Sequence, residues 1–432
     1  MNPADHTTSQ RYGFALAIVR TLRSAGYQAL FAGGCVRDQL LGRIPKDYDV
    51  ATSAAPEQIM NLLGRHRTVP VGAAFGVVMV PGSTPAEGAV EVATFRSDGQ
   101  YIDGRRPTSV RFCSPIEDAQ RRDFTINGMF FDPLANEVLD YVGGQQDLQQ
   151  QVVRAIGDPL ARFHEDKLRL LRAVRFTATF GFRLDPATEQ AICRTCHQIT
   201  QVSVERIAQE MRRMLEHPER ALACRLLQQT GLLPAILPEL QGLDGPAGSD
   251  LTTRLSILQA LPVESAEAAW AILLQPLFQP QQADAKRRLS LIQALLRRLK
   301  MSNQEIEDIG WLTAHRSALD NLASRPLHDI KPLLNHSCSR LLLAINDAAA
   351  HAAGTVSDDS NWARRFLSTQ TPNQLNPAPL ISGHDVAAAG IPPGPQMRLL
   401  LQQIRNAQLD EVISTQAAAL QLLQQLITAP NP

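Results

Sequence analysis

The stretch Ala32-Gly33-Gly34-Cys35-Val36-Arg37-Asp38, followed by Pro45-Lys46-Asp47-Tyr48-Asp49-Val50, decides the reading of this chain. A strand that runs into a Gly-Gly turn and a short helix offers bare backbone N–H groups to a polyphosphate. Soon after come two carboxylates, Asp47 and Asp49, at i and i+2. In an extended segment alternate side chains share a face, so the two aspartates are expected to point the same way. Paired carboxylates make a divalent-metal site, and a phosphate cradle beside them points to nucleotidyl transfer. Two metal ions about 3.5–4 Å apart could clamp the attacking and leaving oxygens of an in-line displacement. A Gly-Gly turn or an Asp-x-Asp alone is an ordinary loop feature; their order and closeness supply the specificity.

At 432 residues the chain exceeds one core, so several domains are expected. Its 42 basic and 42 acidic side chains balance, so contact with nucleic acid must use local patches rather than a global field. Six scattered cysteines and a polar start, without an apolar export segment, predict a reducing, cytoplasmic setting. No apolar run approaches bilayer length, so no membrane role is expected. Nothing in the sequence specifies a protein partner.

A first helix is expected over residues 10–25. Predicted strands follow at 28–32, 47–51, 76–80, 90–95, 110–113 and 137–141, punctuated by Gly72, Pro81-Gly82, Asp103-Gly104 and Pro133. Beyond Arg154 helical periodicity takes over. Residues 163–180 read as one helix stopped at Gly181, and another begins at Ser203, an N-cap residue with Glu205 in the first turn. Helices continue to about residue 350, residues 354–379 read as a polar linker, and 390–395 break the chain before a closing helical segment. The predicted fold class is α+β: a small mixed-sheet head over residues 1–150, then an all-helical neck (151–220), body (221–355) and tail (356–432).

Glu91, inside the alternating run Val90-Glu91-Val92-Ala93-Thr94-Phe95, lies on the face opposite Val90, Val92 and Thr94. It is either a third metal carboxylate or a solvent-facing edge residue. The run Arg121-Arg122-Asp123-Phe124-Thr125-Ile126-Asn127 packs guanidinium forks suited to phosphates, while Asp123 and Asn127 could hold a ribose hydroxyl or a turn.

Asp166, Arg169 and Arg172 recur at i, i+3 and i+6 along one side of the expected helix. They make either a salt-bridged surface or a base reader. Cytosine and adenine both offer an exocyclic amino donor beside a ring-nitrogen acceptor, and uracil and guanine reverse that order. A carboxylate and an arginine side by side would therefore accept CTP and ATP and refuse UTP and GTP. Cys193-Arg194-Thr195-Cys196-His197 matches a haem-attachment pattern, but it lacks an export signal and a second ligand pair, and is read as coincidence. The dipeptides His328-Asp329 and His384-Asp385 are too isolated to form a metal cluster.

With these pieces in order, the chain resembles the class II tRNA nucleotidyltransferase and bacterial poly(A) polymerase family, which includes the class II CCA-adding enzymes. Gly33-Gly34-x-Val36-Arg37-Asp38 through Asp47-x-Asp49 is similar to the family's first motif, for triphosphate and metal. Arg121 to Asn127 is similar to the second, tied to ribose and phosphate, and Asp140-Tyr141-Val142-Gly143-Gly144-x-x-Asp147-Leu148 to the third. Glu165-Asp166-x-x-Arg169-x-x-Arg172-x-x-Arg175-Phe176 resembles the amino-acid template. Ser203-Val204-Glu205-Arg206-Ile207-x-x-Glu210 resembles a helix that braces it, with Arg206 and Glu210 as an i, i+4 pair.

The resemblance implies addition of CMP and AMP from CTP and ATP to the 3′ end of tRNA, releasing pyrophosphate. Asp47 and Asp49, with Glu91 as a candidate third ligand, would hold Mg²⁺. Gly33, Gly34, Arg37, Arg122, Asp123 and Asn127 would bind the nucleotide's triphosphate and ribose. Asp166 and Arg169 would read the base, with Arg172 and Arg175 in support. The segment 95–107 looks like the loop that complete CCA-adding members keep, and the tail resembles that of tRNA-adding members. A poly(A) polymerase and a partial adder, supplying only CC or only A, remain alternatives. Cys35 and Gly128 stand where a small residue such as Ala is expected, and neither is expected to harm the chemistry.

Overall fold

A computed structural model describes residues 3–72, 75–98, 110–241, 251–278 and 284–428. The chain forms two compact units, Met1–Gln241 and Gly242–Pro432.

The first unit opens on helix α1 (Pro3–Ser24), whose apolar side chains Ala15, Ile18, Val19 and Leu22 recur at helical spacing and are buried. Seven strands build its main sheet: β1 (Ala29–Ala32), β2 (Asp49–Thr52), β3 (Val69–Gly72), β4 (Val77–Pro81), β5 (Ala89–Thr94), β8 (Phe130–Asp132) and β9 (Glu137–Leu139). Their spatial order is β3-β4-β5-β2-β1-β8-β9. The sheet is mixed, because β2 and β5 run parallel while the other neighbours are antiparallel. Two short strands, β6 (Arg96–Asp98) and β7 (Val110–Phe112), pair apart from it. Most of the segment 95–107, with its expected loop, lies outside the described residues. Leu30, Ala32, Ala51, Phe95, Ala119 and Phe130 form a buried cluster in this head.

One of the expected strands shifts in a way that matters. β2 begins at Asp49, so Asp47 stands in the bend before it rather than in the ladder. The shared-face argument for the two aspartates therefore does not apply as stated; a turn, not the pleat, places Asp47. β3 and β8 were not anticipated: Pro70 interrupts the first pattern, and the second is only three residues long.

Helices α2 (Gly34–Leu40), α3 (Pro56–Leu63), α4 (Pro115–Gln120) and α5 (Gly144–Gln149) surround the sheet. Next come α6 (Pro159–Glu165) and α7 (Arg169–Phe180). The single helix expected over 163–180 is thus broken at Asp166. Its backbone is extended (φ −138°, ψ 105°), and its Oδ1 accepts the Leu168 N–H at 3.0 Å, a local bond that competes with continuing the helix. Gly181, in the left-handed region, ends α7 as expected. Strand β10 (Val152–Val153), which precedes α6, pairs in parallel with β11 (Arg183–Leu184), and α8 (Pro186–Thr195) follows β11. Helix α9 (Val204–Glu216) follows Ser203, whose hydroxyl makes no cap bond.

The second unit is helical throughout its described residues. Residues 354–379, expected as a linker, contain the helix Asp358–Thr369. Ser357 caps it and bonds Asn346 together with Ser360, and Trp362 stacks on Phe366. The closing segment is two helices, Pro395–Leu409 and Gln416–Thr428, around a small core of Ile381, Val386, Leu400, Ile404, Ala419 and Leu423. Among the described residues no helix is long and apolar enough to cross a membrane. All six cysteines are free thiols.

Candidate active site

β1 runs straight into Gly33, whose φ of +73° is a left-handed backbone that glycine adopts without strain. A Cβ on Gly33 would also lie 3.1 Å from Arg122 Nη1, so the turn needs glycine for conformation and for space. The turn opens a cleft of about 640 Å³ in the first unit. It is lined by Gly33, Gly34, Arg37, Asp47, Asp49, Arg121, Arg122, Asp123, Asn127, Asp166, Arg169, Arg172, Phe176 and Arg213. Six arginines against four aspartates make its wall suited to a polyanion.

The parallel ladder sets Asp49 of β2 directly beside Glu91 of β5. Burial, then the charge of Glu91, push the Asp49 carboxyl up to about 6, with Asp47 adding to the repulsion and Arg122 opposing it. Carboxylates crowded in this way favour a bound cation over free charge. Glu91 itself is not among the residues lining the cleft. Among the described residues no group of three His, Cys, Asp or Glu side chains is arranged as a metal cage.

The arginines are fixed by counter-ions and rings. Arg37 donates to Asn127 Oδ1 at 2.6 Å and to Asp38, and its guanidinium lies over the Phe180 ring at 4.5 Å. Arg121 and Arg122 share the buried Asp118, and Arg122 sits over Phe130. Burial opposes the Asp118 charge, but the two guanidinium groups outweigh it and hold the carboxyl below its usual range. Asp123 is buried too. Its Oδ2 accepts both Nε (2.8 Å) and Nη2 (2.6 Å) of Arg172, and its Oδ1 accepts the Phe124 N–H and Asn127 Nδ2. Its carboxyl is likewise lowered, Arg172 overcoming the burial. With both oxygens so engaged, Asp123 positions Arg172 and Asn127.

From α7, Arg169 donates to Glu165 at 2.6 Å and to the Arg121 carbonyl at 2.9 Å, tying the helix to the head. Asp166 is gripped from α9: Arg206 donates Nη1 to Oδ1 at 3.1 Å and Nη2 to Oδ2 at 2.8 Å. Glu210, also on α9, is buried and accepts from Arg175 (2.6 Å) and Arg213 (3.2 Å). Arg206 and Glu210 thus do not pair with each other as their spacing suggested; each reaches a partner outside that pair.

The chain matches known proteins along most of its length. Residues 29–154 match the family model for the poly A polymerase head domain, 181–243 a model described as "Probable RNA and SrmB-binding site of polymerase A", and 261–423 a tRNA nucleotidyltransferase domain 2 model. Over 402 residues the chain is 35% identical to the CCA-adding enzyme of Geobacillus stearothermophilus, covering 91% of each protein. The chain belongs to the CCA-adding enzyme family. A second member, from Anoxybacillus flavithermus, is 34% identical over 413 residues, covering 94% of this chain and 95% of the relative. A crystal structure of the Bacillus stearothermophilus CCA-adding enzyme in complex with CTP superposes with a TM-score of 0.74 at 30% identity, covering 99% of each chain.

Eleven of the residues singled out from the sequence line the one cleft; Glu91 and Arg175 do not. Arg175 is instead turned to Glu210 and lies over the Phe176 ring at 4.2 Å. The sequence reading gave Arg121 only a share in the guanidinium forks of its run, and gave Phe176 and Arg213 no role. The first two sit inside quoted motifs. Arg213 follows Glu210 by three residues, a helical step that puts it on the same side of α9.

Proposed function

We propose that this member of the CCA-adding enzyme family transfers CMP and AMP from CTP and ATP to the 3′ end of tRNA, without a nucleic-acid template, and releases pyrophosphate. The observation that carries this reading is a single cleft in which the carboxylates of the head stand with the Asp166 and Arg169 of the helical segment.

Asp47 and Asp49 would hold Mg²⁺, whose preference for hard carboxylate oxygens they suit. When bound, the ion neutralises the triphosphate and acidifies the attacking 3′-hydroxyl. Glu91, beside Asp49 in the ladder, adds negative charge from the neighbouring strand. The Gly33–Gly34 backbone, Arg37 and Arg122 hold the triphosphate; Asn127 and Asp123 keep Arg37 and Arg172 aimed.

Base reading follows from what Asp166 and Arg169 have left to offer. Asp166 Oδ1 takes the Leu168 N–H and one Arg206 bond, while Oδ2 takes the other Arg206 bond. A carboxylate has about four acceptor positions, so Oδ2 can also accept an exocyclic amino group. Arg169, held by Glu165 and two carbonyls, can donate to the adjacent ring nitrogen. UTP and GTP would set a carbonyl against the Asp166 carboxylate. We divide the chain functionally into head (1–150), neck (151–220), body (221–355) and tail (356–432), the tail binding tRNA, and assign the enzyme to the cytoplasm.

Three tRNA substrates test the reading: one lacking CCA, one ending in C and one ending in CC. They are supplied with Mg²⁺ and CTP, ATP or both, and products are sized at single-nucleotide resolution. Completion of all three to CCA followed by a stop is expected. A long ATP-only ladder would make the chain a poly(A) polymerase, and growth from the CC end alone an A-adding specialist.

A further inference from the structure

Asp49 is fixed by the sheet, but Asp47 is not. It lies in the bend before β2 with its side chain 81% exposed, so something outside the ladder must hold it in place. Helix α1 reaches that bend at two consecutive residues. The Arg11 guanidinium donates to the Lys46 carbonyl, and its Nη1 lies 3.7 Å from Asp47 Oδ1, within ion-pair range but beyond hydrogen-bond range. Tyr12 packs edge-on against Tyr48, the residue between the two aspartates, with ring centroids 5.7 Å apart. It makes the same contact with Phe31 of β1 at 5.6 Å.

Tyr48 is buried and also packs on Phe31 at 5.3 Å, so the three rings lock the middle of the Asp-Tyr-Asp triplet to β1. Arg11 also lies against the turn that starts β5, the strand carrying Glu91. A Cβ on Gly88, which has φ +69°, would sit 3.5 Å from Arg11 Nε. One helix, anchored by its own buried face, therefore touches both backbones that carry the acidic cluster.

We propose that Arg11 and Tyr12 are positioning residues: α1 fixes the Asp47 turn relative to Asp49 and so presets the pair for a divalent cation. This rests on Asp47 and Asp49 being the metal ligands. Arg11 touches Asp47 at ion-pair distance and binds the backbone one residue earlier, so it orients the turn without capping the carboxylate oxygens. The physical gain is entropic. A turn already ordered does not have to be ordered when the cation arrives.

The test uses the full-length chain without nucleotide and Mn²⁺ alone as the probe, with free Mn²⁺ read by electron paramagnetic resonance. Arg11→Ala should weaken Mn²⁺ binding about tenfold, as loss of groups that orient metal ligands commonly does. Arg11→Lys should recover part of the loss, Tyr12→Ala should weaken binding in the same direction, and Arg20→Ala on the same helix should change nothing. In turnover, kcat of Arg11→Ala should fall at low Mg²⁺ and recover at high Mg²⁺ with the KM for CTP unchanged. Unchanged Mn²⁺ affinity in Arg11→Ala overturns the proposal, and tighter binding overturns it by showing that Arg11 competes with the cation. Asp49→Asn separates the two readings: if it binds Mn²⁺ as the unaltered chain does, the metal assignment falls and the proposal with it. If it does not, while Arg11→Ala binds normally, only the role of α1 falls.

Discussion

The strand-and-turn side of the cleft holds its carboxylates with backbone and packing, whereas the helical side holds its arginines with counter-ions. Asp49 sits in a ladder beside Glu91, and desolvation together with that like charge, only partly offset by Arg122, raises its carboxyl to about 6. Across the cleft Asp123 holds Arg172, Asp166 holds Arg206, and Glu210 holds both Arg175 and Arg213. One side crowds like charges together, and on the other each of these carboxylates is paired with guanidinium groups. Substitutions on the first should therefore strike turnover, and on the second should strike stability or selectivity.

Asp49→Asn is the strongest test of the first half. It keeps the size and the ladder but removes the charge, and nucleotide incorporation should fall by about a thousandfold or more. Binding of tRNA, measured by gel shift, should be nearly unchanged, and so should thermal unfolding. A matching loss of stability would mean that the carboxylate holds the sheet instead of a cation.

Glu210→Ala sharpens the other half. It leaves the buried Arg175 guanidinium without its carboxylate, which costs about 3–5 kcal/mol for a broken buried pair, while the exposed Arg213 turns to water. Denaturant unfolding should show this directly. Activity at low temperature should survive better than it does in Asp49→Asn, because Glu210 is not among the residues lining the cleft.

Arg169→Ala lies between these cases. Its loss frees Glu165 and the Arg121 carbonyl, but both are near the cleft and can be hydrated. The larger effect should be on choice of base: discrimination against UTP, as the ratio of kcat/KM values, should drop by about a hundredfold. Unchanged discrimination would remove Arg169 from base reading and leave it a link between α7 and the head.

How much of this could be read from the sequence follows the same division. The Gly-Gly turn, Asp49 and the alternation around Glu91 were legible because a two-residue period and a glycine signal are local properties. The counter-ion lattice was not. Asp166 to Arg175 reads as uninterrupted helix, and only the Leu168 N–H bond and the Arg206 clamp make it break at Asp166. Arg206 and Glu210 looked like an i, i+4 pair because spacing along one helix is visible and distance between helices is not. The helix Asp358–Thr369 was missed for another reason. Polar composition and the prolines that follow it hid a capping Ser357, two acidic residues in the first turn and an aromatic pair at i, i+4.

The smallest predicted effects come from two positions that the sequence treats alike, Cys35 and Gly128, each standing where Ala would be ordinary. Cys35 is buried in α2, and its thiol donates weakly to the Ala32 carbonyl at 3.3 Å. Burial pushes that thiol up to about 11, so it carries no charge at neutral pH and is a poor nucleophile. Cys35→Ala removes one sulfur and one weak bond, and should cost on the order of 1 kcal/mol with turnover unchanged. At Gly128 a Cβ would meet Val142 Cγ2 at 2.7 Å and Ile156 Cδ1 at 2.9 Å, next to the Thr125–Asn127 turn that aims Arg37. Both obstacles are side-chain ends that can give, so Gly128→Ala should fold but cost about 1–3 kcal/mol of overpacking. It should also raise the KM for both nucleotides if the turn shifts Asn127 from Arg37. Equal stability of the two variants would show that Val142 and Ile156 give way to the added methyl at no cost, so that the Asn127 turn is not held by their packing.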